Sequence, residues 1–274
     1  VGARVEVASL PTGLRTAIYR WLPAGPVKAV VVGVHGFAEH AGRYDHVGRF
    51  LSERGFALYM YDLRGHGRSE SPRGYVDRFE RFVEDTVAFA KLVKSETGAK
   101  TFLLGHSMGG LIAVLAAAEL GGELAGLITS GAAVEVKVGL LARLTLQLLG
   151  ALRPASRVRT PVAAELLSKD PSVVQQYASD PLVFKDPTVK LLVEFGKATA
   201  KAWSAARRVT VPALVLHGGD DRIVLPYASR KLYEALASAD KTLKIYEGLR
   251  HEIFNEVERE KVLSDVAEWL EKHI

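Results

Sequence analysis

Residues Lys28 to His35 read KAVVVGVH, an almost unbroken apolar run rich in β-branched side chains. A strand of this kind has no polar face to give to water. Both of its faces must be covered, and a parallel sheet with helices on either side meets that condition. The run has companions: Phe56 to Tyr61, Thr101 to Leu104, Leu124 to Thr129, Pro212 to Leu216 and Thr242 to Tyr246 read the same way. Between them the apolar spacing turns helical. Phe79, Phe82, Val83, Thr86, Phe89, Ala90 and Val93 recur at i, i+3, i+4 and i+7. Leu111 to Leu120 is rich in Ala and Leu and is stopped by Gly121-Gly122, and Val262, Val266, Trp269 and Leu270 share one face of a terminal helix. Strands alternating with helices predict an α/β chain whose central sheet is mostly parallel, doubly wound and flanked by helices. Ahead of it, Arg4 to Val7 and Arg15 to Tyr19, set around Pro11 and Gly13, predict an antiparallel hairpin.

The alternation stops between Gly131 and Arg208, where helical pieces are cut by Pro154, Pro161, Pro171, Pro181 and Pro187. The expected organisation is a core of residues 1–130 and 209–274 with a helical insertion, residues 131–208, lying over the sheet. The 274 residues are 48% apolar and 24% charged, enough to build one large core. Cys is absent, which excludes a disulfide scaffold, a thiolate metal site and a cysteine nucleophile. The net charge of +5 comes from 36 basic and 31 acidic residues with no run of five Lys or Arg, so no nucleic-acid partner is expected. No apolar run reaches the ~18 residues of a membrane span, and Val1 to Leu10 lacks the basic-then-apolar pattern of a secretory signal. The expected location is the cytoplasm, or a peripheral seat on a membrane; the start at Val1 rather than Met leaves open a missing upstream piece. A single Asn (Asn255), three Gln and two Met suit a protein that works hot, and equally a codon-biased genome.

Gly105-His106-Ser107-Met108-Gly109 carries the G-x-S-x-G pattern between an apolar strand and an Ala/Leu helix. That context is the strand–turn–helix of a nucleophile elbow, in which the Ser projects from a tight, strained turn that tolerates no Cβ at its flanks. The helix that follows aims its N-terminal N–H groups at developing negative charge. A Ser hydroxyl needs a base to take its proton. Of eight His, His251 lies in the loop after the last predicted strand, and Asp220 and Asp221 follow the strand before it; the order Ser, Asp, His is that of α/β hydrolases. Spacing alone does not choose between the two Asp. His217 and His273 read as structural or solvated. The oxyanion of an acyl-transfer intermediate needs two N–H donors. Met108 N–H is one candidate; Phe37 N–H, in the His35-Gly36-Phe37-Ala38-Glu39-His40 loop, is the other, with Ala38 as its alternative. His35 and the Asp62 to Ser69 turn (DLRGHGRS), which lacks a phosphate-loop GK[ST] ending, read as braces for these loops.

HGFAEHAGRY (His35 to Tyr44), DLRGHGRS, GHSMGG (Gly105 to Gly110), SKDPSVVQQYASDPL (Ser168 to Leu182), GGDDRIV (Gly218 to Val224) and DKTLKIYEGLRHE (Asp240 to Glu252) stand together. Over nearly its whole length the chain resembles the monoacylglycerol lipase family of serine α/β-hydrolases. The resemblance implies that fold with a helical cap, or lid, and hydrolysis of a monoacylglycerol to glycerol and a fatty acid through an acyl-enzyme, without metal or organic cofactor. It selects Asp221, which directly precedes Arg222, and implies a glycerol-side pocket of Glu39, Arg43, His106 and Tyr177. It departs at Phe37, where a smaller residue is common, and at Phe254, where some relatives are polar. The lipid substrate is the expected partner. Leu140, Leu141, Leu144, Leu146, Leu148 and Leu149, within Val138 to Leu152, would either touch a membrane surface transiently or pack on the sheet domain. A broader carboxylesterase or lysophospholipase, and a non-hydrolytic ligand receptor on the same fold, are the alternatives.

Overall fold

A computed structural model of the chain describes residues 2–136, 139–159 and 163–274. Val138 and Pro161 lie outside the described residues, as do the side chains of Leu140 and Arg143. The apolar runs form β3 (Ala29–Val34), β4 (Phe56–Tyr61), β5 (Thr101–His106), β6 (Gly126–Ser130) and β7 (Ala213–Gly218), every residue of them buried. With β1 (Arg4–Ser9), β2 (Arg15–Trp21) and β8 (Lys241–Tyr246) they make an eight-stranded sheet of order β1-β2-β4-β3-β5-β6-β7-β8. The pairings β1–β2 and β2–β4 are antiparallel and the rest are parallel. β8 differs from expectation: as an edge strand it is only half-buried except at Tyr246.

Alternate residues of the strands feed two apolar layers. Val30, Val32, Val34, Leu103, Leu127 and Val215 face α2 (Glu80–Thr97) and α3 (Met108–Leu120), while Val31, Leu58, Phe102, Leu104, Ile128 and Leu214 face α1 (Asp45–Ser52) and α8 (Arg259–His273). α3 is apolar almost all round and buried accordingly, as expected of a helix covered on several sides. Between β6 and β7 the chain forms α4 (Leu140–Leu152), α5 (Pro171–Ser179) and α6 (Val189–Ala206), before α7 (Tyr227–Ala235). Two of the predicted helix breakers act at ends: Pro154 follows α4, and Pro171 starts α5 at the position where a missing N–H costs nothing. α6 lays Ala198, Ala202, Ala205 and Ala206 into the layer that also holds α3, so the end of the insertion is part of the main core. The C-terminal ends of β3, β5, β6 and β7 lie in register, Val34 beside Gly105, His106 beside Ser130 and Ser130 beside Leu216. Loops that leave these ends converge above the sheet, where open α/β sheets bind ligands.

Candidate active site

Ser107 sits between β5 and α3 with φ 55° and ψ −120°, one of two non-glycine residues with positive φ among the described residues. A strained backbone of this kind costs ~1–3 kcal/mol and needs surroundings that enforce it. Here they do: a Cβ on Gly105 would collide with Gly109 O, and one on Gly109 with Val34 O and His35 O. The Ser107 N–H donates to Ser130 O, and Ser107 O accepts from Gly110, Leu111 and Ala133 N–H. A Ser at a helix N-cap ordinarily turns its hydroxyl onto the first free N–H groups. Ser107 makes no such bond. Its Oγ lies instead 2.9 Å from His251 Nε2.

His251 arrives from the loop after β8, as its position in the sequence predicted. Its Nδ1–H donates to Asp221 Oδ2 at 2.7 Å, which leaves Nε2 as the acceptor facing Ser107. Asp221 Oδ1 accepts from Ile223 and Val224 N–H at 2.8 and 3.0 Å. Burial opposes the Asp221 charge, but the His251 and His217 rings outweigh it and hold the carboxyl well below the usual carboxylate range. Burial likewise opposes a charged His251, yet the adjacent Asp221 carboxylate raises its basicity above that of an ordinary histidine. Asp220, the neighbour that spacing could not reject, points out to Lys169 at 3.0 Å.

Ser107 is 9% exposed and opens into a cleft. Phe37 lines this cleft and Ala38 does not. Among the described residues neither Phe37 N–H nor Met108 N–H has a protein acceptor. The Phe37 ring is held among Phe184 (5.5 Å), Phe195 (6.2 Å) and His66 (6.4 Å), so the large residue at this position anchors its loop to the insertion. The braces are where the sequence placed them. His35 Nε2 accepts from Leu63 N–H, and Asp62 accepts from Ala41 and Arg68 N–H. Glu39 Oε1 accepts from Gly36 N–H at 2.6 Å and from Tyr44 OH at 2.8 Å.

The four residues expected at the polar end all line or adjoin the cleft. Glu39, His106 and Tyr177 face it, and Arg43 lies over the Tyr177 ring at 4.9 Å. His106 donates from Nδ1 to Ser130 O at 3.1 Å, and burial beside His251 pushes its pKa down to about 3. Sequence reasoning missed Glu252. It grips Arg43 with two 2.7 Å bonds, while Glu39 holds the same guanidinium with one of 2.7 Å. Burial disfavours both carboxylates. The bidentate partner wins the cation, so Glu252 drops to about 2, and Glu39, facing the Glu252 charge, is pushed up toward its neutral form. No signal in the sequence pairs them, since Arg43 and Glu252 lie in different loops far apart along the chain. His217, read as structural or solvated, is fully buried with Nε2 3.0 Å from Asp221 Oδ2. Phe254 belongs to the core layer under α1 and α8 and does not line the cleft. Val136, Leu167, Phe195 and Ile223 are among the apolar residues of the cleft wall.

Residues 25–258 match the family described as Serine aminopeptidase, S33. The chain is 37% identical over 269 residues to a monoacylglycerol lipase of Mycolicibacterium smegmatis, covering 96% of this chain and 95% of that one. It is 36% identical over 250 residues to the monoglyceride lipase of Homo sapiens, with 86% and 80% covered. The crystal structure of a Paleococcus ferrophilus monoacylglycerol lipase aligns with a TM-score of 0.85 at 32% identity, over 94% of this chain and 99% of that one.

Proposed function

Because this chain belongs to the Serine aminopeptidase, S33, family and within it to the monoacylglycerol lipases, it is a serine hydrolase of carboxylic esters, and we propose that it does its chemistry with Ser107, His251 and Asp221. The observation that carries this reading is the unbroken chain Ser107 Oγ–His251–Asp221, with links of 2.9 and 2.7 Å at the floor of a cleft. His251 Nε2 takes the Ser107 proton as Oγ attacks the ester carbonyl carbon. The carbonyl oxygen becomes an oxyanion and receives the Phe37 and Met108 N–H groups. Asp221 stays ionised and steadies the imidazolium. Collapse breaks the ester C–O bond, and the glycerol oxygen leaves with the proton from His251. Water, deprotonated by the same imidazole, then attacks the acyl-enzyme and releases the fatty acid.

The two ends of the cleft match the two halves of a monoacylglycerol. Val136, Leu167, Phe195 and Ile223 offer the acyl chain an apolar wall. Glu39, Arg43, Glu252, His106 and Tyr177 offer the glyceryl hydroxyls donors and acceptors. Residues 131–208 act as the cap: five of the lining residues (Ala133, Val136, Leu167, Tyr177 and Phe195) come from it. The outer face of α4 leaves Leu141, Leu144, Leu148 and Leu152 exposed by 79, 53, 62 and 70%. That face meets a lipid surface transiently, from which the substrate enters. No helix among the described residues is long and apolar enough to cross a membrane.

Rates on a panel of substrates test the assignment: a long-chain monoacylglycerol, a triacylglycerol, a lysophospholipid, a short p-nitrophenyl ester and an aminoacyl p-nitroanilide. The monoacylglycerol is expected to have the highest kcat/KM. A preference for the lysophospholipid or the anilide would contradict the substrate assignment.

A further inference from the structure

Asp221 is touched by a second imidazole. His217 stands near the end of β7, fully buried. Its Nε2 lies 3.0 Å from Asp221 Oδ2 and 2.8 Å from Val224 O. An ionised carboxylate and a carbonyl only accept, so Nε2 must carry the proton. Nδ1 is then an acceptor, and the Ser229 hydroxyl on α7 donates to it at 2.6 Å. The ring is satisfied at both nitrogens, and its tautomer is fixed from two sides. The oxygen it reaches is the one that accepts from His251 Nδ1 at 2.7 Å. Among the described residues His217 is the one side chain besides His251 that reaches this carboxylate.

We propose that His217 is a positioning residue of the hydrolytic site: it holds Asp221 Oδ2 in line with His251 and draws part of the carboxylate's charge away from the catalytic imidazole. The proposal rests on the reading of Ser107, Asp221 and His251 given above. The His217 Nε2–H donates to Val224 O, and the positive end of that N–H dipole, with Nε2 3.0 Å from Asp221 Oδ2, offsets part of the oxygen's charge, so the carboxylate stabilises His251 less than it would alone. His217 thereby sets how basic His251 becomes, and so the pH at which the enzyme switches on. Its own proton stays on Nε2 through the cycle. The other groups facing His251 act directly on the ring and not through Asp221. They are Ser107, His106 from β5 with ring centroids 4.8 Å apart, Glu252 from its own loop, and Glu39 and Arg43 from the loop after β3.

The experiment is the pH dependence of kcat/KM on a soluble p-nitrophenyl ester. In His217→Leu the whole Asp221 charge falls on His251, so the acidic limb should move to higher pH, by about half a unit or more. His217→Gln, whose amide N–H reaches the same oxygen, should return the limb to its wild-type position. His217→Asn is shorter by one methylene and stops short of Oδ2. It should behave like Leu, and it carries the comparison if the aliphatic variant does not fold. The low-field NMR signal of the His251–Asp221 hydrogen-bonded proton should move in Leu and Asn and be restored in Gln. A limb that keeps its midpoint in Leu and Asn while only the rate or the melting temperature falls would give His217 a purely structural role and overturn the proposal. Failure of the underlying site reading looks different: wild-type turnover would then survive Ser107→Ala, and the proposal would fall with it.

Discussion

Arg43 is a cation in a nearly dry place, and the energetics of the polar end turn on which carboxylate neutralises it. Glu252 meets it with two parallel bonds and Glu39 with one. Removing the cation leaves two buried acids facing each other, so Arg43→Met should lower stability by about 3–5 kcal/mol in urea unfolding. Glu39, already driven toward its neutral form, should accept Glu39→Gln at a cost below about 1.5 kcal/mol, whereas Glu252→Gln should cost about 2 kcal/mol or more. Equal losses for the two Gln variants would contradict the assignment of the charge to Glu252. At the base the sign is equally definite. His251 must be neutral to accept the Ser107 proton, and Asp221 raises its pKa above the ordinary ~6.5. Activity should therefore fall as pH drops through a midpoint above about 6.5, and a rate unchanged down to pH 5 would contradict His251 as base. Ser107 and His251 could be found in the sequence because each follows a recognisable strand. Asp221 could not be told from Asp220 by spacing, since adjacent residues of a turn differ only in where the turn throws them. Glu252 was hidden because its partner lies far away in the chain.

The element that organises the chemistry is the β5–α3 turn, and its tolerance is set by backbone, which cannot move aside as a side chain can. Gly109→Ala places a methyl against the carbonyl oxygens of Val34, at the end of β3, and of His35, just after it. The expected result is a melting temperature lowered by several degrees and loss of ester turnover; a folded, fully active variant would contradict the close approach. The loop that carries His251 is braced by Glu256, fully buried and without a cationic partner among the described residues. It accepts from Arg250 N–H at 2.8 Å, Lys169 N–H at 3.0 Å and Ser168 OH at 3.2 Å, tying this loop to the insertion. Continuous apolar strands and the long helices α2, α3 and α8 were legible because several turns repeat the same spacing. α1 and α7, with eight and nine residues, were not singled out: two turns are too few for a period to stand above chance. β8 differs for another reason, since Thr, Leu, Ile and Tyr in an edge strand look the same in sequence as in a central one.

For the whole molecule, the cleft is walled by residues of both the insertion and the sheet domain. The leucine face of α4 is separate from the hydrolytic groups, so it can be altered without touching them. Replacing Leu141, Leu144, Leu148 and Leu152 with Ser should reduce turnover of monoacylglycerol held in phospholipid vesicles at least several-fold while leaving a soluble p-nitrophenyl ester within about twofold. Parallel losses on both would place the leucines in the fold and not at an interface. The sequence left these leucines between two roles because helical spacing records that a face is apolar and not what covers it. At this scale the chemistry depends on one activated hydroxyl. Its most direct measurement is reaction with a fluorophosphonate followed by mass spectrometry of the labelled peptide, in wild type, Ser107→Ala and His251→Ala. The label is expected on Ser107, absent in Ser107→Ala and slowed by orders of magnitude in His251→Ala; stoichiometric label on another residue, or turnover that survives Ser107→Ala, would contradict it.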